Sequence, residues 1–287
     1  MRTRGEKIFN VCNLVFLSCM CLITLYPLVH VASIAFSSYA ESIRIGLHIF
    51  PLEIDMTSIK KVVTAPEIHT AFLNTLWRTG VGTFLSVLTT GMGAYALSKP
   101  TLPLRRFVMV VMLVAMYFNG GTIPTFLLMK SLNLLNNRWA MVLPSLVWGF
   151  NLIVMRNFFL SIPDSLEESA RIDGAGDLRT FFVIVVPLST PVIATIAMWM
   201  GVHHWNAYMD NLLYVTDRSL YVLQRIIRSL VLDASMSGLE SMNESSVINP
   251  ESLKAATIIV ATVPILLIYP FAQKYFIKGV MVGAVKG

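Results

Sequence analysis

From Ile8 to Ala40 the chain carries no Asp, Glu, Lys or Arg, and this uncharged run limits the possible folds more than any other stretch. It exceeds the ~20 mostly apolar residues that cross a bilayer core of about 30 Å. Five comparable stretches follow: about Ala71 to Ser98, Phe107 to Met129, Trp139 to about Phe159, about Leu188 to Val215, and about Lys254 to Phe276. Composition agrees, because 55% apolar and 13% charged residues leave too little polar surface to clothe a soluble body of 287 residues. An all-α membrane protein with six spans is expected, since open strands cannot satisfy their backbone in hydrocarbon. Pro27 breaks the first stretch, whose last third is expected to emerge outside. Arg78 lies near the outer end of the second, where snorkelling to the headgroups accounts for it. Asn119-Gly120-Gly121 and Pro124 interrupt the outer half of the third.

Basic residues beside the spans set the orientation. Arg2, Arg4, Lys7, Lys99, Arg105, Arg106, Arg156, Arg171, Arg179, Lys274, Lys278 and Lys286 all fall on one side, which is read as cytoplasmic, so both termini are placed there. The opposite side holds fewer, most of them in two long loops where the rule is weak. The first apolar run is too long for the core of a cleaved signal, about 7–15 residues, which favours an uncleaved first span. The net charge of +6 is scattered between spans and forms no patch for nucleic acid. Cys12, Cys19 and Cys21 share one apolar helix and lack CxxC spacing, so they are read as small apolar side chains and not as a metal site.

Between the fourth and fifth spans lies a charged segment. Ser165-Leu166-Glu167-Glu168 has the pattern of a capping box, so a short helix is expected from there to about Asp173, ended by Gly174. Gly176 and Asp177 then start a second helix that re-enters the membrane through Phe181, Phe182, Ile184 and Pro187. A helix, a glycine hinge and a re-entry suit a lever that fits a groove in another protein. The same residues also suit an ordinary loop in which Glu168 caps a helix and Gly174 ends it.

Glu168-Ser169-Ala170, then Gly174, then Ile184-x-Val186-Pro187 resembles the EAA loop of the membrane subunits of ABC importers, with Ser169 and Val186 in place of Ala and Leu. Further blocks are similar to the second permease subunit of carbohydrate importers: Phe118-Asn119-Gly120-Gly121-Thr122-Ile123-Pro124-Thr125, Arg156-Asn157-Phe158-Phe159, Trp205-Asn206-Ala207-Tyr208 and Gln273 to Met281. The closing Gly283-Ala284-Val285-Lys286-Gly287 resembles the branch that handles complex oligosaccharides. The resemblance implies the type I ABC importer permease fold. Residues 1–70 would form an N-terminal helix and extracellular loop, residues 71–276 a five-helix core with the EAA loop at 161–187, and residues 277–287 a cytoplasmic tail. It also implies a homologous second permease subunit, two ATP-binding cassette ATPase subunits, an extracellular solute-binding protein and an oligosaccharide substrate. Glu168, Ser169, Ala170, Asp173, Gly174, Ile184 and Pro187 would couple to the ATPase. The chain has no GxxxxGK[ST] loop, so no cofactor is expected on it, and ATP and Mg belong to the partner subunits.

Polar residues inside spans are costly and tend to face a cavity or another helix. Tyr117, Asn119, His204, Trp205, Asn206 and Tyr208 are candidates for a substrate pathway, since sugars favour aromatic faces beside hydrogen-bonding groups. As an alternative, Trp205 and Tyr208 are interface anchors and the histidines bond neighbouring helices. Gly80, Gly82, Gly91 and Gly93 suggest a close-packing face. The outer segments Ser37 to Thr70 and Thr216 to Leu253 are read as a docking surface; Ser235 to Glu251, rich in Ser, Asn and Glu, is expected to be mobile in part or to order on the partner. An ion-gradient-driven secondary transporter would need paired carboxylates at mid-membrane, yet Asp210 is the one acidic residue inside any span. Neither HExxH nor GxSxG occurs, which speaks against a membrane enzyme.

Overall fold

The computed structural model describes residues 4–42, 44, 46, 48–118, 120–237, 251–264, 266–267 and 270. Most of the described residues are helical, and the β pairing found among them is one isolated bridge between Ser37 and Ile54. They fall into two compact units, residues 1–69 with 226–264, and residues 70–225 with 265–287.

The first unit opens with α1, Arg4–Ala35, whose apolar side chains are exposed along almost its whole length. Pro27 does not break it, as the sequence had suggested. A proline inside a helix removes one backbone donor and crowds the preceding turn, and here the helix carries on through that defect to Ala35. Beyond it, the Glu41 carboxylate accepts the Leu52 and Glu53 amides at 2.6 and 3.2 Å and closes the following loop. The Asp55 carboxylate accepts the Thr57 amide at 2.8 Å at the start of the short helix Thr57–Thr64.

The second unit is built around α2, Pro66–Ser98, which has proline at its first position and Glu67 in its first turn, both favourable at a helix start. Then come α3, Arg105–Tyr117, and α4, Thr122–Ser131, bent by 116° from it across a break where Gly121 takes a φ of +89°. A 3-10 stretch, Arg138–Ser145, leads at 53° into α5, Gly149–Phe159. The charged segment forms α6, Asp164–Ile172, and then α7, Asp177–Leu188, whose middle turn, Phe181–Val185, is a widened π-turn. At Ser189 the chain turns by 85° into α8, Thr190–Asn206, followed by α9, Met209–Tyr214. The last described helix before residue 238 is α10, Leu223–Ser237.

Tyr95 and Leu97 of α2, Leu152, Met155 and Phe159 of α5, Phe181 and Val185 of α7, and Ile196 and Met200 of α8 form one buried core. The Arg156 guanidinium donates to the Leu97 carbonyl at 2.9 Å, a cation at the C-terminal end of α2 where the helix dipole favours it. Gly82 lets α8 approach: a Cβ there would lie 2.6 Å from the His204 ring.

Among the described residues, α1 and α2 are single helices long and apolar enough to cross a membrane, and the three bent pairs raise the number to five. The third expected span is thus a strongly folded pair and not one rod. The sixth begins as a helix over 251–264, and most of its second half, like the tail at 277–287, lies outside the described residues.

Candidate functional site: a charged elbow and a polar pocket

The charged segment folds by local rules, with one difference from expectation. Pro163 takes the cap position in extended geometry and no side chain caps the helix, so Ser165 falls inside α6 and the capping box does not form. Ser169 instead donates its hydroxyl to the Ser165 carbonyl at 2.8 Å. Acidic Asp164 and Glu167 in the first turn suit the positive end of the helix dipole. At the other end the Ala175 amide bonds the Ala170 carbonyl at 2.9 Å and the Gly174 amide bonds the Arg171 carbonyl at 3.0 Å. This pair of bonds is a Schellman closure, which requires the left-handed φ of +77° found at Gly174. Nothing lies within 4 Å of where a Gly174 side chain would begin.

α6 buries one side only. Ala170 is buried against the chain, whereas Glu168, Ser169, Asp173 and Gly174 are exposed. Ile184 is half-buried and Pro187 exposed. Ser169, Ala170, Asp173 and Ile184 line a cleft of about 260 Å³ between α6 and α7, together with Arg179 and Val183. Glu167, next to the sequence-predicted Glu168, turns inward: its carboxylate pairs with Lys99 and accepts the Tyr95 hydroxyl at 3.4 Å. Two residues missed in the sequence reading complete the outer face, Ile172 at 86% exposure and Leu178 at 64%. The signal was present, since Ile172 sits four residues after Glu168, on the polar side of the helix and off the Leu166–Ala170 stripe.

At the opposite end of α2 from the elbow, a pocket of about 650 Å³ is lined by His203, Asn206, Tyr208 and Asp210, with Thr122 and Thr125 of α4 and Ser145; the expected orientation makes it the outer one. Of the predicted pathway residues, Asn206 and Tyr208 line it. His204 and Trp205 face away and are buried, His204 over Gly82 and Trp205 edge-on to Phe72 with ring centroids 6.1 Å apart. Tyr117 is exposed at the end of α3 and does not line the pocket, and Asn119 lies outside the described residues.

Arg78 does not snorkel. It is fully buried and grips the Asp210 carboxylate with both guanidinium nitrogens while donating to the Ala207 carbonyl at 3.0 Å. A charge buried in a span needs such a partner, and Asp210 was the one acidic residue within the expected spans. The pair fixes the break between α8 and α9. Just outside it, Asn74 donates to the Ser219 and Tyr221 carbonyls and accepts from Arg138 at 3.0 Å, while Thr75 accepts the Leu223 amide. Asn136 accepts the Thr216 and Asp217 amides at 2.6 and 3.1 Å, and Arg225 donates to the Val215 and Asn211 carbonyls. Residues 216–225 are therefore clamped, whereas most of Ser235 to Glu251, the stretch expected from sequence to be mobile in part, lies outside the described residues. The Asp217 carboxyl is held below its ordinary pKa range by the Ser219 amide first and its hydroxyl second.

A model of the binding-protein-dependent transport system inner membrane component family matches residues 82–282, the core and the elbow together. The chain belongs to that family. Among relatives of this inner membrane component, it is 39% identical over 284 residues to the polygalacturonan/rhamnogalacturonan transport system permease protein YtcP of Bacillus subtilis, covering 98% of this chain and 99% of that one. It is 37% identical to the protein LplC of the same organism, over 99% of this chain and 97% of the other. Its fold superimposes with a TM-score of 0.89, at 32% identity and over 96% of this chain and 99% of the other, on a chain from the crystal structure of a bacterial ABC transporter that imports the acidic polysaccharide alginate.

Proposed function

We propose that this chain is a permease subunit of an ATP-driven importer of complex oligosaccharides, uronate-rich ones in particular, and that it forms half of the translocation pathway. The substrate class rests on the relatives, which handle polygalacturonan, rhamnogalacturonan and alginate. The partners would be a homologous permease, two cytoplasmic ATPases that carry ATP and Mg, and an extracellular solute-binding protein, with both termini of this chain in the cytoplasm. The chain itself would perform no catalysis.

One observation carries the reading: α6, a short helix closed at Gly174, and the first turn of α7 leave Glu168, Ile172 and Leu178 exposed. An exposed carboxylate, Glu168, one helical turn from an exposed Ile172 suits a cleft on a partner, where the apolar group buries and the charge finds a donor. Nucleotide-driven closure of the ATPases would move this helix and switch the outer pocket between accessible states, a two-state equilibrium biased by ligand. Asn206 and Tyr208, which line the pocket, are the pathway residues best placed to meet a sugar; Tyr117, His204 and Trp205 would act through packing. The test is co-purification and uptake in the reconstituted complex. Ile172→Asp should release the ATPase and abolish uptake, and an ATPase that stays bound with uptake intact would refute the docking role.

A further inference from the structure

We propose that α2 is the connecting rod between the elbow and the outer pocket, and that Glu167, not its neighbour Glu168, makes the tie at the inner end. This inference rests on the functional reading above. At the inner end, Lys99 directly follows α2 and pairs with the Glu167 carboxylate, their side chains only 20% and 13% exposed. Lys99 also lies 4.4 Å from the centre of the Tyr95 ring, and the Tyr95 hydroxyl reaches the same carboxylate. Three groups thus hold one face of α6 against the end of α2.

At the outer end the same helix carries Arg78, fully buried and locked to Asp210, which lines the pocket. At about 1.5 Å per residue, the helix separates these two ties by roughly 30 Å. Between them α2 has no proline and is continuous, and at Gly82 it meets the His204 ring of α8. Displacement of α6 is then delivered to α2 through Lys99, and by Arg78 to the break between α8 and α9 where Asn206 to Asp210 face the pocket. Successive residues on a helix point about 100° apart, which lets two adjacent carboxylates divide the work. Glu168 faces outward and is left for the partner, while Glu167 faces the rod.

Spatial continuity alone does not demonstrate coupling, so the test must break and restore the tie. In the purified, reconstituted importer, Lys99→Glu and Glu167→Lys should each keep the ATPase bound yet lower uptake by about tenfold, and the double reversal should recover most of it, the non-additivity expected of partners in contact. Single variants that transport like the parent, or a double variant no better than the weaker single, overturn the tie. Failure of the unsubstituted chain to retain an ATPase would overturn the functional reading instead.

A second measurement does not depend on charge. With Cys12, Cys19 and Cys21 replaced by serine, a Lys99→Cys/Glu167→Cys pair is bridged by a short reducible cross-linker. Lacking the ion pair, the unbridged variant should transport about tenfold less than the parent, and a tie that persists through the cycle predicts that bridging restores most of that uptake. Transport that stops on bridging and returns on reduction overturns it.

Discussion

The elbow at α6 and the clamp around Arg78 are made of similar residue types and are finished in opposite ways. At the elbow the bonds that close α6 are local, the six-residue turn from Ala170 to Ala175 and the exposed Arg171–Asp177 pair at 3.4 Å, and its tie to a distant part of the chain is Glu167 with Lys99 and Tyr95. Large apolar side chains are left uncovered there. At the clamp the bonds are long-range, joining Asn74, Arg78 and Asn136 to residues 207–221, and the charges are buried or satisfied. One region is built to be completed by something else. The other is held together mainly by its own chain.

The comparison is broken most directly at Arg78. Removing one partner of a buried ion pair leaves an uncompensated charge and costs about 3–5 kcal/mol. Asp210→Ala should therefore lower the unfolding midpoint of the purified chain more than any change at the elbow. Next comes Gly82→Ala, whose methyl group would strike the His204 ring; overpacking of this kind costs about 1–3 kcal/mol, and pairing it with His204→Ala should recover part of the loss. Asn74→Ala removes two bonds to residues 216–225 and one from Arg138, and should cost about 1–3 kcal/mol by leaving those groups unpaired, seen as faster proteolysis within 216–225.

At the elbow, Gly174→Ala should cost only about 1 kcal/mol, since the space is open and the penalty is the left-handed backbone alone. A much larger loss of uptake than of thermal stability would locate its effect at a partner. The smallest effect concerns acid. The Asp217 pKa is depressed in the folded chain, so its contribution is present above the unfolded value and lost as pH falls through the folded one. Proteolysis at 216–225 should be unchanged from neutral pH down to about pH 4 and rise below that. Asp217→Ala should show the raised rate already at neutral pH.

The same contrast explains what could be read in advance. The start, end and exposed face of α6 follow from neighbours in the sequence, so Gly174 and the new helix start at Asp177 were legible, and the cap expected at Ser165 lies two residues from the observed one at Pro163. Arg78 was misread because its partner is 132 residues away; an arginine and a lone aspartate in separate spans signal a pair only when both are asked for a partner at once. The His203–Tyr208 run was legible as a polar cluster but not as two faces, because a helix turns adjacent side chains apart and only the packing of His204 over Gly82 says which face is buried. The bend after Tyr117 was visible as Asn119-Gly120-Gly121, yet a glycine pair marks a break without fixing its angle.

The widened turn at Phe181–Val185 has its own consequence. A π-turn holds one residue more than the regular helix needs, so both flanks keep their own facing while a surplus unit bulges between them. Shortening the chain by one residue there should give an ordinary helix with Thr180 and Val192 still in the core. The same deletion made in α8 would swing everything beyond it by about 100°, taking the pocket wall out of register.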